Sequence, residues 1–217
     1  MPNALDIPVT GMPVPAPPWR YSERLVTALQ AAAVMHAAQE RKGDKPNGER
    51  IPYLAHLLGT CAIVLEHGGT EAEAIAALLH DAIEDIQPTE ATRTAVAWFG
   101  DEVLHIVDAC TDGVPGPDGH KADWHPRKRA YVAHLAEACA PVLLVSSADK
   151  LHNARAIVAD QRATGDTVFH SFKKGKDATL WYYRELVTAF RTNPHHHPAL
   201  VAELDRTVTL MEELAGA

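Results

Sequence analysis

Apolar residues recur every three to four positions from Tyr21 onward. That period predicts helices over about 21–41, 53–67, 70–86, 90–98, 100–110, 127–139, 141–160, 178–191 and 197–214. The gaps between them hold helix-stopping residues: Gly43 to Pro52, Gly68-Gly69, Gln87-Pro88, Gly100, Gly113 to Gly119, Gly165 and Pro194. Val142–Val145 has strand character, but it runs without a breaker into the polar segment after it, so helix is favoured. Strand–helix alternation, a phosphate loop, a dinucleotide fingerprint and internal repeats are all missing from the pattern. The fold class is all-α, a helical bundle.

One predicted helix breaks the rule that its buried side be apolar. In AIAALLHDAIEDI (74–86), His80, Asp81, Glu84 and Asp85 interrupt an otherwise apolar run. At about 100° per residue these four fall within an arc of roughly 140° on a continuous helix. Ile75, Leu78, Leu79, Ala82, Ile83 and Ile86 take the opposite side. Three carboxylates and an imidazole beside a core repel one another and resist desolvation, and a divalent cation is the simplest counterweight.

Composition narrows the setting. The 217 residues, 47% of them apolar, suffice for one core, so residues 20–217 read as a single domain. Residues 1–19, with six prolines, read as an extended arm. A net charge of −8 argues against a nucleic-acid partner, yet leaves room for a small anion held by a local basic patch. Cys61, Cys110 and Cys139 are odd in number and widely spaced, as expected of reduced thiols. With no membrane-length apolar run and no secretory leader pattern, the expectation is a cytoplasmic protein without a membrane partner.

Two further residues extend the polar set. His56 lies in IPYLAH at a helix start, and Asp149 lies in VLLVSSADKLHNAR, where an unpaired carboxylate would be costly. The candidate metal ligands are thus His56, His80, Asp81 and Asp149. Two imidazoles with two carboxylates suit Mn, Fe, Co or Zn better than Ca or Mg. Each residue singly has a blander reading: a hydrogen-bonded core histidine, an Asp149–Lys150 pair, a solvated helix end at Glu84-Asp85. Taken together, one cation accounts for all of them.

The order H…HDxxED…D, with Arg41-Lys42 before the first histidine and LVSSADKLHNAR around the last aspartate, resembles the HD-domain hydrolases of the RelA/SpoT-homologue family. More narrowly it resembles the stand-alone small alarmone hydrolases, from about Leu25 to Phe190. The resemblance implies an HD-domain helical bundle, a manganese cofactor, and removal of the 3′-pyrophosphate of (p)ppGpp to give GDP or GTP. It also implies that Glu84 and Asp85 position and activate the attacking water, while Arg41, Lys42 and Asn153 contact the nucleotide. General chemistry fits that division: a bound ion acidifies water and polarises a phosphoryl oxygen, and a neighbouring carboxylate takes the proton.

An acidic chain that binds a polyanion must gather its cations locally. Arg41, Lys42 and Lys45 form one group, Lys121 and Arg127–Arg129 a second, and Lys150 and Arg155 flank Asp149. Lys150 and Tyr182, the latter in LWYYREL, complete the substrate-binding candidates; solvated surface and helical core are the competing readings. The sequence departs from the family at Leu57, where proline is common, and in the charged segment between Lys42 and Pro52. Other substrates for the same chemistry are ppApp, NADPH or a nucleoside monophosphate. A catalytically silent nucleotide- or partner-binding module is the reading from another class, though it leaves the Glu84-Asp85 pair without a purpose. His195-His196-His197 reads as an exposed turn.

Overall fold

A computed structural model describes residues 21–42, 50–116 and 119–216. The arm expected over 1–19, and Lys45, lie outside these. Ten α-helices follow one another in the described residues: α1 (Glu23–Met35), α2 (Leu54–Glu66), α3 (Glu71–Leu79), α4 (Ala82–Asp85), α5 (Thr89–Ala97), α6 (Asp101–Cys110), α7 (Trp124–Leu135), α8 (Ala140–Thr164), α9 (Gly175–Thr192) and α10 (Pro198–Leu214). A 3₁₀ turn, Gly165–Ser171, joins α8 to α9. The only β pairing among the described residues is an isolated bridge between Glu40 and Pro52. The all-α reading therefore holds, with Val142–Val145 inside α8.

The long helix α8 forms the axis of the bundle. Every residue from Val142 to Asp149 is buried, as expected of a helix with neighbours on all sides. Helices α2, α3, α6, α9 and α10 all pack against it. Its buried hydroxyls are satisfied: Ser146 pairs with the Tyr131 hydroxyl at 2.7 Å, and Ser147 donates to the Leu143 carbonyl at 2.5 Å. The C-terminal helix α10, whose role the sequence left open, closes one side of α8. There Leu200, Leu204, Val208 and Met211 are buried, and Arg184 of α9 holds Asp205 and Glu212. Buried Asn193 ties α9 to the end of α7 by donating to the carbonyls of Leu135 (3.0 Å) and Ala138 (2.9 Å).

Two predicted helices are corrected. The first ends at Met35, not 41. His36 caps it, and the backbone of Arg41 then pairs with Ile51 (2.9 Å) while Tyr53 pairs with Gln39 (2.9 Å). Arg41 and Lys42 thus sit on an extended segment beside the start of α2. The helix predicted over 70–86 breaks at His80-Asp81, with Asp81 at φ −96°, ψ −4°. Thr70 and Glu73 cap the start of α3 reciprocally, and a separate single turn, α4, carries Glu84 and Asp85. The arc computed for a continuous helix does not apply.

The three cysteines are free; Cys61 and Cys110 are buried and Cys139 is exposed. Burial pushes the Cys61 thiol up to about 11, as expected of a packing residue. No helix among the described residues is long and apolar enough to cross a membrane.

Candidate metal centre and cleft

The break after α3 turns His80 and Asp81 toward α2 and α8. His56, in the first turn of α2, and Asp149, midway along α8, meet them there. His56, His80 and Asp81 each place one ligand atom within 4.8 Å of the others. Asp81 Oδ2 lies 3.6 Å from His56 Nε2 and 3.1 Å from His80 Nε2. Asp149 Oδ1 stands 3.2 Å and 3.5 Å from the same two nitrogens. All four predicted ligands therefore converge on one spot.

The ring nitrogens test whether a cation fits. Both Nε2 atoms are buried without a well-formed hydrogen bond, although carboxylate oxygens of Asp149 and Asp81 stand 3.1–3.6 Å away. Leaving such atoms bare costs about 1–3 kcal/mol each. His80 Nδ1 donates to the Ala77 carbonyl at 2.8 Å, which makes Nε2 the nitrogen that can give up its proton and lend a lone pair to a metal. His56 Nδ1 faces His152 Nδ1 at 2.9 Å. Burial, with His56 and Arg41 nearby, lowers His152 to about 4. A neutral His152 can accept a proton from His56 Nδ1, and in that tautomer His56 Nε2 is the nitrogen left to face a metal. The donor set fits a divalent transition metal.

Electrostatics agree. Burial pushes His80 down, but the Asp81 and Asp149 carboxylates override it and hold the imidazole well above its ordinary value. Without a metal ion a proton therefore occupies Nε2, and a bound cation would displace that proton and take over its charge. Burial pushes Asp81 and Asp149 up; His80 and His56, joined at Asp149 by Lys150, return both well below the carboxylate range. Two carboxylates kept ionised in a buried site make a strong place for positive charge.

Neighbouring side chains hold the candidate ligands in place. The Tyr53 hydroxyl donates to Asp81 Oδ2 at 2.5 Å, and Lys150 Nζ to Asp149 Oδ2 at 2.5 Å. Asn153 donates to Asp149 Oδ1 at 2.5 Å and accepts from Arg41 Nη1 at 2.8 Å. Gly59 allows His152 its position, since a Cβ there would lie 2.2 Å from the imidazole ring. His152→Ala is expected to weaken metal binding about 10- to 100-fold, measured by metal titration of the purified protein.

Glu84 and Asp85 border the centre from α4. Glu84 Oε1 accepts from Lys121 Nζ at 2.6 Å, and its other oxygen faces the Asp112 N–H at 3.4 Å. Burial, Asp112 and Asp81 raise the Glu84 carboxyl, opposed by Lys121. Such a shift moves a carboxylate toward the range of a useful general base. Asp85 Oδ2 accepts from Gln39 Nε2 at 2.8 Å, and Gln39 Oε1 in turn faces His36 Nδ1 at 2.6 Å.

The centre opens into a cleft of about 530 Å³. Eight Lys or Arg side chains line it against five carboxylates, so the cleft inverts the sign of a chain whose net charge is −8. Arg41, Lys42, Lys150, Asn153 and Tyr182 all line it, as do Asp81, Glu84 and Asp85. Lys150 is first of all the partner of Asp149, with its ammonium 5.3 Å from the Tyr131 ring. Tyr182 is buried with a bare hydroxyl and carries Lys128 Nζ 4.6 Å above its ring, so core and cleft readings both apply. Arg155 instead turns outward to Glu203. Sequence reasoning passed over Tyr53, His152, Gln39 and Asp112, and named Lys121 and Lys128 only as members of a basic cluster. Arg127 and Lys128 both grip Asp112, and the two cations face the cleft.

An all-α bundle with this centre at the floor of a cationic cleft has the architecture of the helical phosphohydrolases. The chain belongs to the HD-domain family, whose profile matches residues 28–172, more than half its length. It is 35% identical over 133 residues to guanosine-3′,5′-bis(diphosphate) 3′-pyrophosphohydrolase MESH1 of Xenopus tropicalis, spanning 60% of this chain and 68% of that protein. It is also 35% identical over 130 residues to a probable GTP pyrophosphokinase of Mycobacterium leprae (strain TN), spanning 59% of this chain but 15% of that larger protein. Among solved structures, a metazoan orthologue of SpoT described as hydrolysing ppGpp superposes with a TM-score of 0.66 at 25% identity. That match covers 88% of this chain and 96% of the orthologue. The protein lmo0812 from Listeria monocytogenes EGD-e superposes with a TM-score of 0.60 at 25% identity, covering 75% of this chain and 99% of the other. The chain is thus an HD-domain phosphohydrolase related to (p)ppGpp 3′-pyrophosphohydrolases.

Proposed function

We propose that the protein removes the 3′-pyrophosphate from (p)ppGpp-type nucleotides, using Mn(II) held by His56, His80, Asp81 and Asp149. The observation that carries this reading is the pair of bare, buried Nε2 atoms flanked by two ionised carboxylates at the floor of a positively charged cleft. When bound, the ion supplies Lewis acidity toward a phosphoryl oxygen and acidifies water.

The chain's own groups account for the rest. The cleft cations neutralise a substrate that would otherwise be repelled by an acidic protein. Asn153 and Arg41, linked to each other and to Asp149, hold the sugar and base beside the scissile bond. Glu84 accepts a proton from the attacking water, and Asp85, fixed by Gln39, orients that water. Lys121, now on Glu84, is positioned to move onto the departing pyrophosphate. Water adds at the phosphorus bonded to the ribose 3′ oxygen, and that P–O bond breaks with its electron pair on the 3′ oxygen. The oxygen takes a proton from solvent to become the 3′ hydroxyl, and GDP or GTP leaves with pyrophosphate.

A panel of ppGpp, pppGpp, ppApp, NADPH and nucleoside monophosphates with Mn(II), resolved by chromatography, tests the reading. Pyrophosphate with GDP or GTP is the expected outcome. Orthophosphate release from NADPH or a monophosphate, with ppGpp untouched, would overturn it.

A further inference from the structure

One carboxylate in the cleft has neither a use in the chemistry above nor a partner among the described residues. Four of the five are engaged: Asp81 with Tyr53, Glu84 with Lys121, Asp85 with Gln39, and Glu40 with Arg50 at 3.7 Å. Among the described residues, no hydrogen bond or ion pair reaches the fifth, the Asp160 carboxylate. A bare negative charge in a cleft built for a polyanion weakens binding, unless the ligand brings donors of its own to meet it.

Its place on α8 indicates which part of the ligand that is. Asp149, Asn153, Ala156, Ile157 and Asp160 follow the spacing of one helix face, and the last four line the cleft. At about 1.5 Å per residue, Asp160 stands roughly 16 Å along the helix from the metal ligand Asp149. Asn153 lies one turn from the centre, where a ribose beside the scissile phosphate would be. Ala156 and Ile157 follow with an apolar surface suited to the face of a base. Arg41, anchored on Asn153, acts electrostatically on Asp160 and so borders the same end of the cleft. Ordinary helix-surface exposure is the alternative explanation of Asp160, and the test separates the two.

We propose that Asp160 reads the edge of the base and selects guanine. Guanine presents two adjacent donors, N1–H and the 2-amino group, that match the two oxygens of a carboxylate. Adenine turns a lone pair at N1 toward the same oxygens, beside a single amino group. The carboxylate therefore welcomes one purine and repels the other. This inference rests on the proposed nucleotide hydrolase reading and deepens it, since it names what in this chain distinguishes ppGpp from ppApp.

The test compares full-length wild type with Asp160→Asn, an isosteric change at an exposed position. Both turnover and equilibrium binding of ppGpp and ppApp are measured with Mn(II) present. An asparagine offers one acceptor and one donor, the match for adenine. The expected result is a wild-type preference for ppGpp and a fall of about tenfold or more in the ppGpp/ppApp ratio of kcat/KM in the variant, with metal content unchanged. A ratio that stays within about twofold, or a wild type with no preference for ppGpp, overturns the proposal while leaving the hydrolase reading intact. Selective binding of ppGpp without cleavage, lost in Asp160→Asn, would support base selection and remove the hydrolase reading. No binding of either nucleotide would remove both.

Discussion

Asp81→Ala is expected to lower turnover of ppGpp about a thousandfold or more, and to leave the purified protein without stoichiometric metal. Lewis-acid stabilisation contributes several kcal/mol to a phosphoryl-transfer barrier, and each 1.36 kcal/mol is a factor of ten. The geometry points the same way, because Asp81 Oδ2 lies near both bare imidazole nitrogens and takes the Tyr53 hydroxyl. The loss of Asp81 also removes one of the two ionised carboxylates that attract a cation to the buried site. Elemental analysis beside steady-state kinetics checks both halves. Full metal occupancy with full activity in the variant would show that Asp81 is not a ligand.

Glu84→Gln separates proton transfer from metal binding. The expected result is a drop in kcat of about 10²- to 10⁴-fold, the usual contribution of a positioned base, with metal content retained. The amide preserves size but cannot take the proton. It also loses the charge that holds Lys121 at 2.6 Å, so KM for ppGpp is expected to stay level or fall. A merely structural Glu84 would show a change in unfolding midpoint instead of this split between kcat and KM. Unchanged kcat in Glu84→Gln, or full activity in the double variant Glu84→Ala/Asp85→Ala, would exclude the pair from the chemistry.

The convergence of the candidate ligands was legible because their residue types are costly where they stand. An imidazole and carboxylates inside apolar runs at His80, Asp81 and Asp149 demand a cation whatever the exact backbone, and all four candidates do meet. The break that aims them was not legible. Ala82 and Ile83 continue the helical apolar period, and neither glycine nor proline marks the interruption at His80-Asp81. The supporting shell was hidden for a different reason. Tyr53 and His152 look like ordinary core residues. The role of Tyr53 arises from its contact with Asp81 at the break between α3 and α4, and that of His152 from the meeting of α2 and α8, far apart in sequence. Lys121 follows a glycine- and proline-rich loop whose course has no local signature, so its arrival at Glu84 depends on tertiary structure. Arg127 and Lys128 read equally well as solvated charge until Asp112 and the cleft are placed beside them.

The whole account depends on one ion resting among imidazoles 56 and 80 and carboxylates 81 and 149, and anomalous diffraction from Mn(II)-loaded crystals tests it most directly. The predicted result is a single strong peak about 2.0–2.3 Å from His56 Nε2, His80 Nε2 and one oxygen each of Asp81 and Asp149. Density for an ion only elsewhere, as at the run His195–His197, in protein that still turns over substrate would contradict it.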